Sequence, residues 1–229
     1  MKKIILSFVF SLASLAIFAQ KPSSELLDPN NHSLVLIDHE GQMAFATHSI
    51  SATELRNNVG LVAGASKIFK IPTVVTTVAE KSFSGPVFPE ILEVYPQETS
   101  GYVDRTTMNT WEDVNAHKAI TGKGKKKIVM AGLWTSVCVV GPVLSALSEG
   151  YDIYVITDAS GDVSKEAHDQ SITRMVQAGA KPITSLQYLL ELQRDWARQE
   201  TYKAVNDLVV KYGGSYGIGV QYAREMLKH

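Results

Sequence analysis

The 229-residue sequence has one cysteine, Cys138, so it can close no internal disulfide. A lone cysteine is explained by burial, by pairing with another chain or by chemistry, and on counting alone core filler fits as well as the others. After residue 19 no apolar run of about 20 residues follows, so no stable membrane insertion is expected of the mature chain. There is no excess of basic charge either: 22 Lys and Arg stand against 23 Asp and Glu, a formal net charge of −1, which argues against nucleic acid as a partner. Glycine-rich nucleotide signatures are missing. Gly213-Gly214-Ser215-Tyr216-Gly217 does not lie between a strand and a helix, and Gly122-Lys123-Gly124-Lys125-Lys126-Lys127 lacks the order of a phosphate loop. His39, His48, His117 and His168 stand singly, without ligand spacing, so no metal and no cofactor is expected.

What is present begins with Met1-Lys2-Lys3, an apolar and small-residue run from Ile4 to Ala19, and then the polar Gln20-Lys21-Pro22-Ser23-Ser24. This reads as a signal peptide over residues 1–19, which places the mature chain in the periplasm or outside the cell. Residues 20–200 are then expected to form one α/β domain, and 201–229 a C-terminal helical arm. The arm's apolar Tyr202, Val205, Leu208 and Val209 fit contacts in a homo-oligomer and intramolecular packing equally.

From Ser33 onward strand and helix patterns alternate, the signature of a three-layer sandwich in which a mainly parallel sheet carries helices on both faces. Strands are expected at Ser33–Asp38, Thr73–Val78, Lys127–Leu133, Ile153–Asp158 and, more weakly, Pro182–Ser185. Helices are expected at Ala52–Phe69 behind a Ser51-x-x-Glu54 capping box, Val137–Glu149, Lys165–Ala178 and Leu186–Arg198. Between Lys81 and Thr110, Gly85, Pro86, Pro89, Pro96 and Gly101 break every period. That stretch reads as a long binding loop with one short helix.

Ligands of open parallel sheets sit beyond the carboxyl ends of the strands. The first strand ends there in Asp38, and the Lys127–Leu133 strand runs through Trp134-Thr135-Ser136-Val137 into Cys138 in the first turn of a helix. Unpaired N–H groups and the helix dipole at that place favour a thiolate and can hold an oxyanion. Asp38 is positioned to take the thiol proton, yet a carboxylate alone raises a thiol's pKa, so a cation is required beside it. Asp158 also ends a strand, where capping the next turn is its ordinary fate.

In these segments the chain resembles the isochorismatase-like cysteine hydrolases, the family that includes nicotinamidases, and within it the YcaC-like subgroup. The resemblance runs from about Leu34 to Trp196. It rests on the strand ending in Asp38-His39, on Ile71-Pro72-Thr73, on Ala131-Gly132-Leu133-Trp134-Thr135-Ser136-Val137-Cys138, on Ala146 to Gly150, on Thr157-Asp158-Ala159-Ser160, and on Leu192 to Trp196. It implies an Asp, Lys, Cys triad with Asp38 and Cys138 as the outer members. The segment Gly101-Tyr102-Val103-Asp104-Arg105, with Asn109 and Trp111, puts Arg105 where the family has lysine. Arginine does not release its proton, so Arg105 would act as a fixed charge that pairs with Asp38 and keeps the Cys138 thiolate accessible near neutral pH. An exposed loop arginine is the bland alternative.

The resemblance further implies a cis peptide at Leu133-Trp134, with the backbone N–H groups of Trp134 and Cys138 as an oxyanion hole. Asn109, Trp111 and Trp134, with Phe83, Val87 and Phe88 from the loop, are candidates to shape the substrate pocket, and for each aromatic a place in the core fits at least as well. The nicotinamidase branch holds a metal with histidine after the second strand; here that stretch is Thr77-Val78-Ala79-Glu80-Lys81. The expected activity is hydrolysis of a small amide-like, or related C–N or ester, substrate through a thioester on Cys138. A catalytically weak ligand-binding or assembly protein on the same fold is the competing reading.

Overall fold

The computed structural model describes residues 21–227, so the signal-peptide segment lies outside the described residues. Six strands form one sheet: β1 (His32–Ile37), β2 (Thr73–Val78), β3 (Val103–Arg105), β4 (Lys127–Gly132), β5 (Asp152–Ile156) and β6 (Lys181–Ile183). Their order is β3-β2-β1-β4-β5-β6 and every pairing is parallel. The chain therefore winds outward from β1 to β3, returns to the other side of β1 at β4, and winds outward again. The crevice where the direction reverses lies beyond the ends of β1 and β4, the place where such sheets bind ligands.

The strands are apolar almost without interruption because both faces are covered. Leu34 and Leu36 face one core, whereas Val35 and Ile37 face the other. Val129 and Ala131 against Ile128 and Met130 repeat the alternation on β4. The first core also takes apolar side chains of helices Ala52–Ile68, Ser185–Gln193 and Gln199–Tyr212; the second takes those of Val114–Thr121, Val140–Ser148 and Lys165–Gln177. The sandwich has the expected three layers.

Ser51 caps the first long helix, its hydroxyl accepting from the Glu54 N–H at 3.2 Å as the capping box requires. Two expected helices are shorter than their patterns. The one after β4 starts at Val140, because Thr135–Val139 forms a wider π turn, and Ser185–Gln193 stops where Arg194 takes a left-handed φ of 56°. The broken stretch holds more order than one short helix: a π turn at Glu80–Ser84, helices Pro89–Leu92 and Gln97–Ser100, and the edge strand β3.

In the C-terminal segment, Val205 and Val209 are fully buried against the first core. Close approach to helix Ala52–Ile68 is possible because Gly64 has no side chain there; a Cβ would collide with Leu208. Intramolecular packing thus accounts for three of the four apolar residues of that set, and Tyr202 is partly exposed beside Trp196. A second helix, Gly214–Met226, follows at once, so the bend is confined to Gly213-Gly214.

Candidate active site

β1 ends because Asp38 adopts a left-handed φ of 54°, a conformation that Asp tolerates better than most residues. Its carboxylate is fully buried. Oδ1 accepts from the Thr76 hydroxyl on neighbouring β2 at 3.0 Å, and Oδ2 accepts from Nη2 of Arg105 at 2.5 Å. Arg105 closes β3 in register with Val78, and its Nη1 donates to the Thr107 carbonyl. Both side chains of the ion pair have zero exposure, so the loop-surface alternative for Arg105 does not hold.

Cys138 is buried in the π turn after β4, near enough to both members of that pair for their charges to act on its thiol. Three residues from three strand ends therefore meet at one point. Gly132, the last residue of β4, is paired with Ile37 so closely that a Cβ would strike the Ile37 carbonyl oxygen. Ser160 fastens the same corner, its hydroxyl accepting from the Gly132 N–H at 3.1 Å and donating to the Ile156 carbonyl at 2.9 Å.

The electrostatics correct one sequence expectation. Burial, and then the Asp38 charge, push the Cys138 thiol up to about 12, and Arg105 only partly opposes them. Burial also raises Asp38, against the lowering effect of Arg105. Burial and the Asp38 charge thus favour a neutral thiol over a ready thiolate. Desolvation outweighs the helix terminus at this place. The N–H groups of the turn are also in use: the Trp134 carbonyl accepts from Val137, Cys138 and Val139 at 3.0, 3.0 and 3.3 Å. The Leu133-Trp134 peptide is cis.

A cavity of about 350 Å³ opens on Cys138 between Met43, Phe83, Met108, Trp134 and Val137. Trp134 takes the expected wall position, its Nε1 donating to the Met43 carbonyl at 3.0 Å, and Phe83 stands edge-on to it. Asn109 and Trp111 belong elsewhere. Asn109 caps the turn Thr110–Glu112 and donates to Ser145, while Trp111 is buried in the second core with Nε1 bonded to Glu149 at 2.8 Å. β3 carries the chain past the cavity at Met108 and onto the other face of the sheet. Val87 and Phe88 are likewise first-core residues. Met43, Met108 and Val137 carried no sequence signal as pocket residues, since none belongs to a periodic pattern that faces the crevice.

Two more buried groups flank these three residues. His39 donates from Nε2 to the Ala159 carbonyl at 2.8 Å, and burial lowers its pKa to about 4, so it is a neutral structural side chain. Glu40 accepts the Val78 N–H at 3.0 Å, and burial raises it to about 8. His168 hydrogen-bonds Thr135 and His117 lies by Glu149; Asp158 does not cap the turn beside it but accepts from the Ser185 N–H and hydroxyl at 2.7 and 2.9 Å, fastening the start of helix Ser185–Gln193 to the end of β5. Among the described residues no group of three His, Cys, Asp or Glu side chains is arranged to hold a metal ion.

The chain is similar to known proteins over most of its length. The isochorismatase domain profile matches residues 32–187. The probable hydrolase YcaC of Escherichia coli is 36% identical over 171 residues, covering 74% of this chain and 81% of that protein. The Escherichia coli YcaC crystal structure, described as an octameric hydrolase of unknown specificity, superposes with a TM-score of 0.82 at 32% identity, covering 91% of this chain and all of the other. YcaC from Pseudomonas aeruginosa, solved with hexane-2,5-diol and covalent acrylamide, gives 0.81 at 32% identity over 88% and 98% of the two chains. This chain is a hydrolase and belongs to the isochorismatase family, alongside YcaC.

Proposed function

We propose that the chain hydrolyses a small amide-like, or related C–N or ester, substrate through a covalent thioester on Cys138. Asp38 takes the thiol proton as Sγ bonds to the carbonyl carbon, and returns it to the leaving nitrogen or oxygen as that bond breaks. Water then enters, gives a proton to Asp38 and attacks the thioester carbon; the acid departs and the proton returns to sulfur. Arg105 takes no part in proton transfer. It offsets the Asp38 charge and keeps the carboxylate aimed at the thiol.

The developing oxyanion is assigned to the backbone N–H groups of Trp134 and Cys138. The Cys138 N–H already donates to the Trp134 carbonyl, so the oxyanion would share that donor. The observation that carries the reading is the buried 2.5 Å pair of Arg105 and Asp38 close beside the only cysteine, which lines a cavity. The covalent acrylamide of the Pseudomonas aeruginosa relative supports a reactive site in this family.

One observation favours a catalytically weak binding or assembly protein instead, namely the thiol pKa of about 12. Screening amides, ureides and carbamates against wild type, Cys138→Ala and Asp38→Asn separates the two. Turnover confined to wild type supports the enzyme; the same rates in all three refute it. We also propose a homo-oligomer, on the precedent of the octameric relative and on Ile218, Tyr222 and Met226 exposed along helix Gly214–Met226, to be tested by light scattering. Export to the periplasm or beyond is proposed from the first nineteen residues, and the mass of the mature N-terminus tests it.

A further inference from the structure

The cavity above Cys138 is bounded by Met43, Phe83, Met108, Trp134 and Val137, and none of the side chains that line it is charged. The charges nearest the sulfur, Asp38 and Arg105, are fully buried and spent on each other. A charged group entering the cavity would shed water and find no counter-ion, which costs several kcal/mol at least. At the mouth Phe83 and Met108 are 62% and 63% exposed, so apolar surface waits there for cover. One wall residue departs from this pattern: Ser84 lines the cavity, and its buried hydroxyl has no hydrogen-bond partner among the described residues. Buried polar atoms are nearly always satisfied, and an orphan beside a cavity is a place for a ligand atom.

We propose that Cys138 acts on an uncharged, mainly apolar carbonyl compound, no larger than a single ring or a short chain, with one polar group hydrogen-bonded to the Ser84 hydroxyl. The size follows from a volume at the low end of small-molecule sites. The inference rests on Cys138 as nucleophile and adds what that nucleophile selects.

Because Cys138 is the only cysteine, its labelling is read from intact mass without knowledge of the substrate. Rates for the full-length protein are measured with iodoacetamide against iodoacetate, and N-ethylmaleimide against 3-maleimidopropionate, each divided by the rate with free cysteine at the same pH. The neutral member of each pair should react at least about tenfold faster. Met108→Lys, at an exposed position on the mouth, should narrow that ratio at least about threefold by giving the carboxylate a partner. Ser84→Ala should slow iodoacetamide severalfold and Ser84→Thr should restore it. Charge-indifferent rates in wild type overturn the substrate class while leaving the nucleophile standing. Ser84→Ala that melts and labels like wild type overturns the role of Ser84. Failure of every neutral probe to label Cys138 overturns the nucleophile itself, and the inference with it.

Discussion

The Arg105 guanidinium donates to Oδ2 of Asp38 at 2.5 Å with neither side chain exposed to solvent. A buried pair of this kind is poor evidence of stability, because desolvation offsets most of the attraction, but removing one partner strands the other. Arg105→Met should therefore cost about 3–5 kcal/mol in denaturant unfolding, or leave Asp38 protonated and useless as a base. Arg105→Lys keeps the charge, loses the fork that also reaches the Thr107 carbonyl, and should retain part of the activity.

Asp38→Asn separates reactivity from turnover. The Asp38 charge raises the thiol pKa and Arg105 lowers it, so removing the carboxylate lets the thiol ionise at lower pH. Iodoacetamide labelling of Cys138 at pH 8 should become faster, whereas turnover should fall at least about a hundredfold for want of a proton acceptor. Loss of both together would mean that Asp38 acts on the thiol in some other way.

Glu40 gives a pH dependence of stability. Its folded pKa of about 8 stands above the ordinary 4.5, so between these values the native state holds a proton that the unfolded state has lost. Stability then falls as pH rises through that window and levels off above it. Glu40→Gln keeps an acceptor for the Val78 N–H and removes the titration. Its melting temperature should match wild type near pH 4.5 and exceed it by a margin that grows towards pH 8.

Gly132→Ala tests the packing that brings β1 and β4 together beneath the site. The added methyl meets the Ile37 carbonyl oxygen, backbone that cannot move aside, as well as the Ile37 Cβ, and should destabilise by about 1–3 kcal/mol in chemical denaturation.

Asp38 and Cys138 were legible in the sequence because each follows an uninterrupted apolar run, and a run buried on both faces announces a central strand and where it ends. Arg105 was not legible from pattern. It ends a three-residue edge strand inside a stretch that glycine and proline break, so only the family resemblance located it. Proximity in sequence misled for Asn109 and Trp111, four and six positions beyond Arg105, because the chain crosses to the other face of the sheet between Met108 and Trp111. The helix Val114–Thr121 escaped notice for its eight-residue length, although Asp113 caps it through the Asn115 and Ala116 N–H groups. The state of the thiol was also out of reach. Its pKa depends on burial and on the Asp38 and Arg105 charges beside it, both three-dimensional facts.

The most direct test is rapid-quench mass spectrometry of the wild-type protein during turnover of an uncharged aryl amide or ester, with Cys138→Ser alongside. The account predicts an adduct of the acyl mass on the peptide carrying Cys138, formed and consumed at the turnover rate and missing from the variant. Turnover in Cys138→Ser at the wild-type rate, with no adduct in either protein, would contradict it.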